Sequence, residues 1–190
     1  MQTTTIIEFQ EREVVSASGA VNFFIEEDAR ESCDLTNLKL NKLIYIAHGF
    51  MLAKYQKPLL NVNYHEYVEA WQYGPVIPSI YHEFKHFGRS NISEHGSCLI
   101  EIDPINGIQK IKPKIVNNNV LSILKWVFNN FAKLSAMQLV DITHAQGSPW
   151  QNAYIQGNYN VLIADQETKE YYTQYLEWLI TTKGFQDISN

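Results

Sequence analysis

With 190 residues, of which 45% are hydrophobic, 13% aromatic and 18% charged, the chain has the make-up of one ordinary globular domain, with little room for a second and no disordered or collagen-like character. Fifteen Lys and Arg stand against twenty Asp and Glu, and the net charge of −5 disfavours a nucleic-acid groove and suits a basic partner. Cys33 and Cys98 form neither a CxxC pair nor a disulfide framework, no apolar run approaches a membrane span, and MQTTTIIEFQEREVV lacks a secretory signal, so a reducing, cytoplasmic setting without a membrane is expected.

The first fifteen or so residues carry no clear period and read as a frayed arm or an edge strand. From Ser18 the pattern turns helical, with Val21, Phe24 and Ile25 on one face, and Ser32-Cys33-Asp34 breaks it. Thr36 can cap a long helix whose apolar stripe is Leu40, Leu43, Ile44, Ala47 and Met51, with Lys39 and Lys42 on the other side; it ends before Pro58. HEYVEAWQ (65–72) reads as a strand, with Tyr67, Glu69 and Trp71 alternating against Val68 and Ala70 until Gly74-Pro75 ends it.

Pro78 leads into a short helix bearing Ile80, Phe84 and Phe87, stopped by Gly88. Residues 89–97 have the composition of a loop, and Cys98–Ile102 with Ile108–Ile111 can form a hairpin across Asp103-Pro104-Ile105-Asn106-Gly107. Asn119 starts a helix with Val120, Leu124, Val127, Phe131 and Leu134 on one face, and Ser135 with Gln138 makes a capping box for the next. Ser148-Pro149-Trp150 opens another, and a last helix carrying Tyr172, Tyr175, Leu176 and Leu179 ends at Gly184. The fold class is mainly α with a small β component (α+β): one compact domain of about six helices and a short sheet or hairpin. It is expected to run over 18–185, between an N-terminal arm (1–17) and a C-terminal tail (186–190).

His82-Glu83-Phe84-Lys85-His86 spells H-E-x-x-H, which on a helix stacks two histidines as zinc ligands beside a glutamate base. Ile80, Phe84 and Phe87 cluster within about 60° on the wheel, so both histidines fall on the face expected to be solvated. The metzincin extension fails, because Gly88 comes one position early; His95 sits in a loop and Glu101 is the nearest later carboxylate. Asp141, Thr143 and His144 lie close at one helix end, where a proton relay competes with a histidine favoured by the helix dipole. Cys33 or Cys98 as a nucleophile would need a nearby His and an orienting group, and both are expected to be inert small side chains.

The order of motifs is more specific than any one of them. LTNLKLNKLIYIAHGF (35–50), PLL (58–60), EAWQYGPVIPSIYHEFK (69–85) and LSAMQLVDITHAQGSPW (134–150) together resemble the Panacea-domain antitoxin family, SocA-like and phage-associated GepA-like. The resemblance covers about residues 18 to 180, and A-W-x-Y-G-P-V-x-P-x-I-Y with the paired T-H…P-W carries it. It places His82 and Glu83 in a Y-H-E-F/L-K segment of a family without metalloprotease activity, while His86 lies outside that pattern.

The resemblance implies a prokaryotic or phage antitoxin that neutralises a cognate toxin by protein contact, with no catalysis and no cofactor. Some relatives act as adaptors to a AAA+ protease, and that role and a zinc-dependent hydrolase built on His82, Glu83 and His86 are the alternatives. Lys42, Tyr45, Trp71, Tyr73, Gly74, Pro75, Val76, Tyr81, Thr143, His144, Pro149 and Trp150 match the family pattern. Gly74 and Pro75 shape a turn, Trp71 alternates into a strand face and Trp150 follows a proline, so packing accounts for these. Tyr45, Tyr73 and Tyr81 are expected to offer a polar tip to the partner. Residues 88–97 and 103–119 depart most from the pattern and are expected to set partner choice.

Overall fold

Residues Asn37–Tyr55 form the helix around which the rest is arranged. In this computed structural model, which describes residues 10–92, 96–103, 107–158 and 160–188, it is the second of seven α-helices among the described residues. Seven helices and two small sheets make the mainly α, α+β architecture expected. No helix among the described residues is long and apolar enough to cross a membrane.

The central helix, α2, starts as its sequence predicts, with the Thr36 side chain accepting from the Lys39 N–H. Its burial differs from the predicted single stripe. Asn37 and every residue from Lys39 to Leu52 are buried, because α1 (Ala17–Glu31), α3 (Pro78–Phe84), α4 (Asn118–Phe131), α5 (Ala136–Thr143), α7 (Asp165–Lys183) and a strand pair pack around it. Lys39 and Lys42, placed by the wheel opposite the apolar stripe, are therefore buried rather than solvated, and each amine donates to a backbone carbonyl, of Cys33 and Pro75 respectively.

The first helix begins at Ala17, with Ser16 as cap. Its first-turn N–H groups, which have no partner within the helix, are met from 49 residues away, where the buried Glu66 carboxylate accepts from Ala17 (2.7 Å) and Ser18 (3.2 Å) and also from Asn61 (2.9 Å). Burial pushes the Glu66 carboxyl up, and these donors pull it back.

The N-terminal arm resolves in part as the edge strand β1 (Gln10–Glu13), parallel to β5 (Gly107–Lys114), which pairs antiparallel with β4 (Leu99–Asp103). Ile111 lies opposite both Gln10 and Leu99, and with Val14 and Leu99 it makes a small apolar cluster apart from the main core. Residues 1–9 of the arm, His95 in the 89–97 loop, the turn at 104–106 and residues 189–190 of the tail lie outside the described residues.

The strand predicted over 65–72 shortens to β2 (Glu69–Trp71), paired with β3 (Gly74–Val76) with Trp71 opposite Gly74. Its other edge is taken by residues 161–163: Ala70 N–H donates to Val161 C=O (2.8 Å) and Ile163 N–H to Val68 C=O (2.9 Å). α3 gives way to one 3-10 turn at Lys85–Phe87 before Gly88. The Ser135–Gln138 capping box and the Ser148 cap of α6 (Pro149–Ala153) form as predicted, and Gly184 ends α7 in the left-handed region. Trp126 Nε1–H donates to the Gln186 carbonyl and Ile188 is buried, so the described part of the predicted tail packs on α4.

Candidate functional site

The residues that carry the sequence pattern come from four distant segments and meet on one shoulder of α2. At its base lies Lys42. Its Nζ donates to Pro75 C=O at 2.8 Å, and no carboxylate pairs with it among the described residues. Burial pushes the amine down to about 7, because nothing nearby repays the lost hydration of an ammonium.

Gly74 is required here twice over. Its φ of +99° lies where L-residues are strained, and a Cβ would stand 2.8 Å from Lys42 Cε and 3.0 Å from both Lys42 Nζ and His144 Nε2. The His144 ring, just past the end of α5, stacks on Trp150 with centroids 3.4 Å apart and planes 4° from parallel. Its Nε2 is buried without a hydrogen-bond partner among the described residues, and burial, then the neighbouring Lys42, hold its pKa below the usual histidine range. The Thr143 hydroxyl donates to Val140 C=O within its own helix rather than to Asp141 or His144.

Above this base lies a layer of rings. Trp150 Nε1–H donates to Trp71 C=O (2.7 Å), which fastens α6 to β2, and Tyr154 stacks on the same indole. Trp71 sits edge-on to Tyr81 (4.8 Å) and near His82 (6.1 Å), and its Nε1–H donates to the Glu69 carboxylate at 2.7 Å. Trp71 and Tyr81 are half-buried, whereas Tyr73, in the turn between β2 and β3, is 58% exposed. Pro75, Val76 and Pro149 are buried beneath these rings and shape the platform.

Tyr45 is the one predicted contact residue that the fold withdraws from the shoulder. It is fully buried, edge-on to Tyr172 at 5.7 Å, so it offers no polar tip to a partner, and among the described residues its hydroxyl meets no hydrogen-bond partner. Its register on α2 turns it toward α7 instead.

The H-E-x-x-H segment does not assemble a zinc centre among the described residues, where no three His, Cys, Asp or Glu side chains gather as ligands. His82 faces Trp71 and Tyr81, while His86, beyond the helical register, lies over Phe87 with its Nδ1 3.1 Å from Glu83 C=O. The Glu83 carboxylate accepts from the buried Ser97 hydroxyl at 2.7 Å, and burial pushes it up. Burial also pushes both cysteine thiols up, which weakens either as a nucleophile.

Two further polar pairings were not visible in the sequence. His48, buried in α2, receives the Leu59 N–H on Nδ1 (3.3 Å), which makes Nε2–H the tautomer that donates to Asp165 at 3.0 Å. Glu66 anchors α1 as described. For His48 the available signal was the run 35–52, where Tyr45, Ile46, Phe50 and Leu52 add apolar residues beyond one stripe, so that polar residues between them are buried and need partners.

A mainly α domain that presents a shoulder of partly exposed rings over a buried, unpaired amine is the class of protein this geometry defines. The chain belongs to the family of SocA-like antitoxins with a Panacea domain, whose description matches residues 40–151. It is similar to Antitoxin SocA of Caulobacter vibrioides, 31% identical over 141 residues that cover 74% of this chain and 71% of that protein. The matched span holds every shoulder residue from Lys42 to Trp150. No solved structure matches the chain.

Proposed function

We propose that this chain is a cytoplasmic antitoxin that neutralises a cognate toxin by direct protein contact and without chemistry of its own, and that Trp71, Tyr73 and Tyr81 make that contact. The observation that carries the reading is the convergence of pattern residues on one face as half-exposed aromatic rings rather than as a bond-making constellation. Rings of this kind bring large contact area at small entropic cost and dominate the energetics of tight interfaces. Gly74, Pro75, Val76, Thr143, His144 and Trp150 hold the platform rather than touch the partner. An acidic chain of net charge −5 favours a basic toxin surface, and a tight complex needs an interface on the order of 1,600 Å².

Co-expression with the product of the neighbouring gene is the test. The wild-type chain is expected to restore growth and to co-purify with that product, while Trp71→Ala abolishes both. A neighbour that is harmless on its own, or toxicity that the wild-type chain leaves unrelieved, overturns the reading. Toxin levels hold steady under direct neutralisation; faster toxin loss in the presence of the chain is the outcome that delivery to a AAA+ protease would give.

A further inference from the structure

A second surface lies at the other end of β2. Val62 (77% exposed), Tyr67 (42%) and Leu162 (60%) stand around one groove of about 560 Å³, with Leu60 and Val68 among its lining residues. Single exposed apolar side chains are ordinary, but three around one concavity of ligand-binding size are not.

The groove has a free strand edge. Residues 161–163 pair with β2 through Val161 C=O and Ile163 N–H, which leaves the Leu162 N–H and C=O directed away from β2, and no hydrogen bond engages them among the described residues. It also carries charge of one sign. Among the described residues, Glu66 and Asp165 are the only charged side chains lining it. Glu66 is committed to three backbone N–H groups, whereas Asp165 accepts from His48 on Oδ1 and keeps a side chain 57% exposed. The His48 hydrogen bond holds the Asp165 carboxyl below its ordinary range, so it stays ionised at neutral pH.

We propose that this groove seats an extended segment of the toxin, added as a strand beside residues 161–163, with an apolar side chain between Val62, Tyr67 and Leu162 and a lysine or arginine on Asp165. The occupant is a toxin segment only if the antitoxin reading holds; the chemistry of the seat follows from the groove alone. The free edge supplies main-chain hydrogen bonds, the rim selects apolar side chains at every second position, and Asp165 selects the cation.

Two measurements on the full chain test this. In the first, the purified toxin is titrated calorimetrically against wild type, Leu162→Glu and Val62→Glu. Both substitutions fall on exposed side chains, so unchanged melting temperatures are expected, with a loss of affinity of tenfold or more. Affinity equal to wild type in both variants overturns the proposal.

In the second, a Val-Lys-Val-Lys-Val peptide and its Val-Glu-Val-Glu-Val counterpart are titrated by NMR. The lysine peptide is expected to shift resonances of residues 58–68 and 161–165 in wild type and not in Leu162→Glu, with the glutamate peptide at least tenfold weaker. Unmoved resonances, or equal response to the two peptides, overturn the seat. A wild-type chain that binds no toxin yet seats the lysine peptide fails the antitoxin reading and the toxin as occupant, while the seat's preference for an apolar, basic strand stands.

Discussion

Toward α4 and α7, α2 meets rings: Phe50 lies edge-on to Trp126 (5.0 Å) and Tyr172 (5.1 Å) and stacks on Tyr175 (6.2 Å). Toward β3 and α5 it meets the Pro75 carbonyl, the Ile77 N–H held by Asn41 Oδ1 at 3.0 Å, and the unpartnered His144 Nε2. The apolar side buries mostly ring carbon, with the Tyr45 hydroxyl dehydrated among the rings. The polar side holds an amine at a carbonyl where a methionine would sit more cheaply, and it forces a left-handed glycine. One helix thus carries a face that stabilises the fold and a face that positions the shoulder, and the two are expected to fail differently.

The largest effect is expected on the apolar face. Phe50→Ala removes a fully buried ring with four aromatic neighbours and is expected to destabilise the protein by about 4 kcal/mol, measured by urea unfolding. Gly74→Ala comes next at about 2–3 kcal/mol, from positive φ and from overlap with Lys42 Cε. It is also expected to impair toxin binding by whatever fraction folds, because the new methyl displaces the Lys42–His144 base. If Gly74→Ala cost as much as Phe50→Ala, the division between a stabilising and a positioning face would not stand.

Lys42 sharpens the comparison through pH. Its amine titrates near 7 when folded and near 10 when unfolded, so between those values the unfolded chain holds a proton that the folded chain has lost. Stability therefore rises with pH from about 7 upward, with a slope of up to ~1.4 kcal/mol per unit from this residue. Lys39, also lowered by burial, adds in the same direction, whereas the raised cysteine and tyrosine groups begin to oppose it above pH 9. Lys42→Met is expected to flatten most of the rise between pH 7 and 9 in paired thermal melts. An unchanged slope would mean that the amine is not the buried, unpaired group described.

The ends of elements were legible in the sequence because capping is local: Thr36, Ser135 and Ser148 each bond within three residues of themselves. The order of the A-W-x-Y-G-P-V and T-H…P-W motifs likewise pointed to the shoulder. What was hidden depends on contacts across long separations. A helical wheel assumes one wet face, and α2 has none: Lys39 and Lys42 fall opposite the apolar stripe, yet both are buried, Lys42 against a carbonyl 33 residues away. The same distance hid the pairing of β1 with β5 and of residues 161–163 with β2. Only alternation or composition near each strand was available, and neither names a partner.

The smallest effect on stability decides the most about function. Tyr73 is 58% exposed at the β2–β3 turn, and Tyr73→Ala is expected to change unfolding free energy by less than about 0.5 kcal/mol. If the shoulder meets the toxin, the same substitution weakens the complex at least tenfold, because truncating an aromatic hot spot in an interface core costs about 2 kcal/mol or more. Phe50→Ala should show the reverse: a large loss of stability, with the folded fraction binding toxin at wild-type affinity. Calorimetric titration of both variants against the same toxin, at a temperature where Phe50→Ala remains folded, separates the two faces. A Tyr73→Ala variant that binds as tightly as wild type would move the contact surface off the shoulder while leaving the account of the core intact.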